Sequence, residues 1–175
     1  ELHQDTSARL AGGGEGRLFG LRACGGGGRG MKLEQVAKTQ VERAPVRLVP
    51  LALEHEEGLA RAAADGELWN LRITSVPEPG ATRAYIEAAL RGRDEGHRFA
   101  FAVLDAASGA VIGSSSYHDI VPAVERLEIG YTWYAASRQR SAVNTTAKLL
   151  LMQHAFETLG AQLVARWVTH PDYLD

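Results

Sequence analysis

The spacing of apolar and polar residues follows two different periods after residue 31, and each period predicts a different kind of element. Apolar residues that alternate with polar ones predict strands, at residues 46–51, 99–104, 110–119, 126–134 and 163–168. Apolar residues at helical spacing predict helices at residues 54–64, 82–90 and 144–159, with a short helix or turn at Leu68-Trp69. Strands mixed with helices in this way indicate an α/β domain, which we place at residues 31–175.

Residues 1–30 have a different composition from the rest of the chain. They contain ten of the 19 glycines and show neither helical nor strand periodicity. Such a segment cannot bury enough apolar surface to offset the entropy lost on ordering, so we predict a disordered, Gly-rich extension. An upstream leader or a misassigned start explains it more simply than a functional tail does.

Composition excludes several classes of function. Hydrophobic residues make up 45% of the chain, charged residues 23%, and the formal net charge is -2. There is therefore no global basic field for nucleic acid, and no apolar run has the roughly 20 residues that a membrane-spanning helix needs. The single cysteine, Cys24, rules out an intramolecular disulfide and a multi-cysteine metal site. We expect a cytoplasmic protein without a bound metal.

Residues 139–145 are the segment with the clearest chemical signal. They are a loop rich in small residues that opens the predicted 144–159 helix, so several unpaired backbone N–H groups point one way. With the helix dipole, these groups suit a phosphate, and Arg138, Arg140 and Lys148 add charge. Asn144 is the predicted N-cap. An ordinary connection between strand and helix, capped by Asn144, is the alternative interpretation.

Two stretches around this loop resemble a known family. Residues 127–133 (LEIGYTW) resemble the fourth strand of GCN5-related N-acetyltransferases, most closely the branch related to ribosomal-protein N-terminal acetyltransferases. Residues 138–151 (RQRSAVNTTAKLLL) resemble that branch's CoA pyrophosphate loop and helix, and residues 154–160 (HAFETLG) continue the match. The superfamily pattern Gln/Arg-x-x-Gly-x-Gly/Ala falls on Gln139, Ala142 and Asn144, of which the last two depart from it.

The resemblance implies a fold and a cosubstrate. The fold would be a mixed, mainly antiparallel sheet flanked by helices, and the cosubstrate would be acetyl-CoA. The acceptor would be a primary amine, on a protein N-terminus or a small molecule. By the resemblance, the pantetheine arm would lie along Thr132, Trp133 and Tyr134, and the pyrophosphate would lie at Gln139, Arg140, Ser141, Ala142, Val143, Asn144 and Thr145.

The reaction that the resemblance implies is attack of an amine on a thioester, which needs a base because the amine arrives protonated. Glu128 is the candidate base, directly or through a water molecule, and His118 is the second candidate. An exposed strand carboxylate beside Arg126 and a structural histidine are the simpler interpretations. By strand alternation, Tyr131 and Trp133 are expected to share a face opposite Glu128 and to belong to the core.

The end of the sequence departs from the family. Family members continue after a threonine that resembles Thr169 with a helix and two further strands, so we expect a C-terminally truncated fold. Residues 163–168 would then form an exposed edge strand, which favours pairing with another chain and a homodimer. Two rival functions follow: a catalytically inactive CoA-binding or interaction module derived from the family, and a structural domain without a ligand.

Overall fold

The computed structural model describes residues 30–165, whose strands form one six-stranded sheet in sequence order. Neighbouring strands are antiparallel except for the last pair, which is parallel. The predicted mixed, mainly antiparallel sheet is therefore confirmed. The strands are β1 Val41–Arg43, β2 Val46–Pro50, β3 Arg98–Asp105, β4 Val111–Val121, β5 Arg126–Tyr134 and β6 Leu163–Ala165.

Helices cover both faces of the sheet. The α-helices are α1 Glu56–Ala64, α2 Thr82–Asp94 and α3 Ala142–Gln153, and a π-helical turn, His154–Leu159, continues α3. Short 3₁₀ turns occupy Leu33–Lys38, Leu53–His55, Leu68–Asn70, Pro122–Val124 and Ala136–Arg138. Within residues 30–165, no helix has the length and apolar character that crossing a membrane requires.

Each face of the sheet carries its own buried core. Alternate residues of β3 point to opposite faces, so Phe101 and Val103 join the core under α3, whereas Ala102 and Leu104 join the core under α1 and α2. Complete burial of one leucine side chain, such as Leu151, stabilises the fold by about 1.5–3 kcal/mol. β4 and β5 therefore lie between two buried cores.

The strands agree well with the sequence prediction, and the differences are local. β3, β4 and β5 lie at the predicted places, and the bounds of β5 coincide with the predicted 126–134. The sequence analysis missed β1, because its residues Val41–Arg43 contain only one apolar side chain. The helix at residues 82–90 extends to Asp94, and the short element at Leu68 is a 3₁₀ turn.

Several predictions fall wholly or partly outside the described residues. The disordered extension covers residues 1–30, of which residue 30 alone is described, and the strand at 163–168 is described as far as Ala165. The truncated C-terminus and the Thr169 landmark also lie outside residues 30–165.

Candidate functional site

A β-bulge in β5 is the local irregularity that shapes the site. Ser114 pairs with Trp133 and Ser116 pairs with Gly130, so two β5 residues, Tyr131 and Thr132, face the single β4 residue between those serines. Tyr131 takes a left-handed conformation with φ of 50°. A bulge of this kind leaves one residue unpaired in the ladder and redirects the side chains that follow.

The bulge corrects the prediction that Tyr131 and Trp133 share a face opposite Glu128. Because the extra residue resets the alternation, Trp133 lies on the same face as Glu128 and is buried in the core under α1 and α2. Tyr134 belongs to the opposite core. Tyr131 is 37% exposed and is not a core residue, so the core assignment holds for Trp133 and is wrong for Tyr131.

The connection between β5 and α3 is fixed by its own polar side chains. The Ser141 hydroxyl donates to the Arg138 carbonyl at 2.6 Å and accepts from the Val143 N–H at 3.3 Å. Gln139 donates to the carbonyl of Tyr134 at 3.0 Å. Arg140 takes a left-handed φ of 55°. The loop is therefore held in a single turn that ends at the first residue of α3.

The N-cap of α3 is Ser141, so the assignment of Asn144 to that position was wrong. Ser141 has the extended conformation and the side-chain bond of a cap, and α3 begins at Ala142. Asn144 is therefore the third residue of the helix. Arg138 also differs from expectation, because it pairs with Asp105 at 2.9 Å instead of pointing toward the helix N-terminus.

Removal of the Ser141 cap is expected to destabilise α3. We expect Ser141→Ala to lower the free energy of unfolding by about 1 kcal/mol, since the Val143 N–H loses its acceptor at a helix end. Chemical denaturation followed by circular dichroism measures this change. Ser75→Ala, at an exposed serine outside the helices, is the matched control. Equal stability of the two variants would contradict the capping role.

A cleft of about 550 Å³ connects the bulge to the N-terminus of α3. Residues 71–74, in the connection between α1 and α2, form its other wall. Arg72, Arg140 and Lys148 line it, and within the described part of the chain its lining has no acidic side chain. The cleft is lined by Leu71, Arg72, Ile73, Thr74, Ile129, Gly130, Tyr131, Thr132, Trp133, Tyr134, Gln139, Arg140, Asn144 and Lys148.

The cleft brings together six of the ten predicted donor-binding residues. These are Thr132, Trp133, Tyr134, Gln139, Arg140 and Asn144. The other four, Ser141, Ala142, Val143 and Thr145, belong to the cap and first turn of α3 but do not line the cleft. The wall at residues 71–74 lies within residues 68–86, a stretch that has no motif but that we expected to contribute to the acceptor pocket.

An acid–base cluster lies on β4 and β5, on the face covered by α1 and α2. Glu128 is opposite His118 in the register, with Oε2 of Glu128 3.9 Å from Nε2 of His118. Arg126 lies 3.6 Å from the other carboxylate oxygen of Glu128 and also contacts Asp119. Glu128 is 8% exposed, and its buried Oε2 has no hydrogen-bond partner among the described residues.

Burial shifts the two central groups in opposite directions. It raises the pKa of Glu128, with a further rise from Asp119 and opposition from Arg126. Burial also lowers the pKa of His118, which Asp119 opposes and Arg98 reinforces. An acid and a base whose pKa values move toward each other are suited to exchanging a proton.

Arg98 supports this cluster from β3. Its guanidinium is buried, donates to Ser116 at 3.1 Å and to the Tyr85 hydroxyl at 3.2 Å, and stacks 3.8 Å from the centre of the Tyr131 ring. Stacking of this kind orders the exposed Tyr131 at the bulge. The described residues contain no group of three or more His, Cys, Asp or Glu side chains that could hold a metal ion.

Comparisons with known proteins identify the family of the fold. Residues 46–172 match the acetyltransferase (GNAT) domain. No curated protein matches the chain. A GCN5-related N-acetyltransferase from Brucella melitensis is 32% identical with a TM-score of 0.57, over 71% of this chain and 57% of its own. A protein from T. thermophilus described as an acetyltransferase is 33% identical with a TM-score of 0.61, over 73% and 65%.

A more distant neighbour shares the fold. It is the Salmonella typhimurium acetyl transferase that modifies the N-terminal serine of the 50S ribosomal subunit protein L7/L12. It is 17% identical with a TM-score of 0.57, over 68% of this chain and 67% of its own.

These matches identify the class of protein. The chain belongs to the GCN5-related N-acetyltransferase (GNAT) family, because the domain match covers most of its length and two solved relatives are more than 30% identical. Members of this family are acyltransferases. The chain spans 57% and 65% of the lengths of those two relatives.

Proposed function

We propose that this protein transfers an acetyl group from acetyl-CoA to a primary amine, either a protein N-terminus or a small molecule, in the cytoplasm. The observation that carries the proposal is the cleft of about 550 Å³. It runs from a bulged strand to a helix N-terminus, and its charged lining residues are all cationic. An elongated anionic ligand with a polar, amide-containing arm fits such a surface.

The donor would occupy the cleft along its length. Its pyrophosphate would lie at residues 140–145, where the first N–H groups of α3 have no partner within the helix, with Arg140 and Lys148 nearby. Its pantetheine arm would run along Thr132 to Tyr134 as an added strand. The thioester would then lie at the bulge, where the extra residue leaves backbone groups outside the ladder.

The chemistry begins with removal of a proton from the ammonium form of the acceptor, and Glu128 is the proposed base. The free amine then attacks the thioester carbonyl carbon, forming a C–N bond and a tetrahedral intermediate. Its collapse breaks the C–S bond and gives the amide and CoA thiolate. The second nitrogen proton passes to the thiolate, and the proton held by the base returns to solvent.

The acceptor amine would enter from the side of the cleft that residues 71–74 form. Residues 71–74 and Tyr131 line the cleft, and the cluster of His118 and Glu128 lies beside it on β4 and β5, outside its lining. The Salmonella typhimurium neighbour modifies an N-terminal serine, which is the reason to test peptide N-termini beside small amines. Homodimerisation through the β6 edge is a separate proposal, which light scattering on the full chain tests.

Two measurements on the full chain test the proposed function. We expect acetyl-CoA to bind with micromolar affinity in calorimetry. We also expect thiol release from acetyl-CoA with at least one member of a panel of tetrapeptides, differing in their first residue, and small primary amines. A folded sample that fails to bind acetyl-CoA would overturn the donor site. Binding without turnover would favour a CoA-binding module that has lost catalysis.

A further inference from the structure

We propose that Glu128 reaches the acceptor amine through His118, and that the two side chains work as one acid–base pair in which the imidazole takes the ammonium proton. This inference rests on the proposed acetyl transfer to an amine. It changes the role of Glu128, which becomes a positioning residue, and makes His118 the catalytic residue.

The position of the imidazole is the first reason. His118 is opposite Glu128 in the β4–β5 register, but its ring lies over Gly130, where a β-carbon would overlap the imidazole. The ring also packs edge-on against Tyr131, with centroids 5.1 Å apart. His118 therefore occupies the surface between Glu128 and the bulge at residues 131–132. A group at the bulge would meet the imidazole before it met the carboxylate.

Accessibility is the second reason. The His118 side chain is 21% exposed and that of Glu128 is 11% exposed. The buried Oε2 of Glu128 has no hydrogen-bond partner within residues 30–165, and the imidazole Nε2 lies 3.9 Å away. A contraction of less than 1 Å would turn this contact into a hydrogen bond, which would fix the ring tautomer and stabilise the imidazolium.

The charged and titratable groups around the pair come from four elements. Asp119 on β4 and Arg126 on β5 contact each other beside Glu128, while Arg98 on β3 lies behind the Tyr131 ring. The hydroxyl of Tyr85 on α2 binds Arg98. Burial lowers the pKa of His118 and raises that of Glu128, and the Asp119 carboxylate raises both.

In each turnover the His118–Glu128 pair takes up one proton and releases one proton. The unprotonated pair, a neutral imidazole and a carboxylate, removes one proton from the ammonium acceptor. The imidazolium forms next to the Glu128 carboxylate. The amine attacks the thioester and the C–S bond breaks; one of the two remaining nitrogen protons goes to the thiolate, and the other stays on the amide. The pair releases its proton to solvent before the next turnover.

The kinetic test compares His118→Asn, Glu128→Gln and the double variant with the wild-type chain, using the best acceptor of the panel. We expect each single variant to lower kcat/KM by about 100-fold or more, with acetyl-CoA binding unchanged. The double variant should lose no more than either single one, because the two residues act as a unit. His97→Asn, at an exposed histidine in the connection between α2 and β3, is the control and should keep full activity.

The dependence of kcat/KM on pH is a second kinetic readout, which would not change if His118 and Glu128 had a structural role only. Only the unprotonated pair is active, so kcat/KM should rise with pH through the apparent pKa of the pair and then level off. A His118→Asn variant within threefold of wild type, or single losses that multiply in the double variant, would overturn the inference.

A second measurement needs no acceptor and therefore separates this inference from the proposed function. NMR titration of the His118 ring follows its pKa in wild type and in Glu128→Gln. Removal of a carboxylate 3.9 Å away should lower the pKa of His118 by about one unit. An unchanged titration would overturn the pair even if the chain acetylates amines. A shifted titration without turnover would support the pair and count against the proposed activity.

Discussion

Replacing Ala142 with glutamate is expected to weaken acetyl-CoA binding by about two to three orders of magnitude. Ala142 is the first residue of α3 and is exposed, so a carboxylate there would compete with the pyrophosphate for the same N–H groups. Two like charges about 4 Å apart near a protein surface repel by roughly 4 kcal/mol. Calorimetry with acetyl-CoA measures the loss directly.

The same substitution should not harm the fold, which makes the result easy to interpret. A negative charge in the first turn of a helix is favourable for its dipole, so thermal stability should be equal or slightly higher. Ala84→Glu, at an exposed position in the first turn of α2, provides the matched control and should bind acetyl-CoA normally. Normal binding by Ala142→Glu would exclude the N-terminus of α3 as the pyrophosphate site.

The largest effect on stability is expected at Gly113. A β-carbon there would overlap the carbonyl oxygen of Trp133 and lie 3.0 Å from the Cα of Tyr134. Both are backbone atoms of β5, so β4 and β5 would have to separate beside the bulge. We expect Gly113→Ala to lower the free energy of unfolding by about 3 kcal/mol, measured by denaturation.

Gly96→Ala separates this steric effect from the general cost of replacing a glycine. Gly96 has a φ of 78°, but a β-carbon there meets no atom within 4 Å. Its replacement should cost about 1 kcal/mol, from backbone strain alone. If Gly113→Ala were no worse than Gly96→Ala, the close contact between β4 and β5 would not be as tight as the structure indicates.

The layout of the fold could be predicted because its signals are local. The alternation in residues 126–134 and the helical spacing in residues 82–90 reflect buried faces, and β5 and α2 follow from them. β1 was not predicted, because a strand of three residues with one apolar side chain is too short to show an alternation of apolar and polar residues. The N-cap was misplaced because Ser141 and Asn144 can both cap a helix, and backbone conformation decides between them.

The site could be predicted only where the chain is continuous. Residues 132–134 and 139–145 form one segment, so the strand and the loop were assigned together, with the helix start placed two residues late. The bulge could not be predicted, because Tyr131 adopts a left-handed conformation that its residue type does not favour. The wall at residues 71–74 and the pairing of His118 with Glu128 depend on tertiary contacts between distant parts of the chain.

The sequential order of the strands has a consequence for how the protein is made. As the chain leaves the ribosome, each new strand finds its partner already synthesised, because neighbours in the sheet are neighbours in the sequence. All partners of the β1 to β5 pairing are therefore synthesised before α3, but the face of the sheet that α3 covers stays exposed until α3 follows. Residues 139–148 complete the cleft after the strands, so on the proposed function acetyl-CoA binds and stabilises only the chain that has folded through α3.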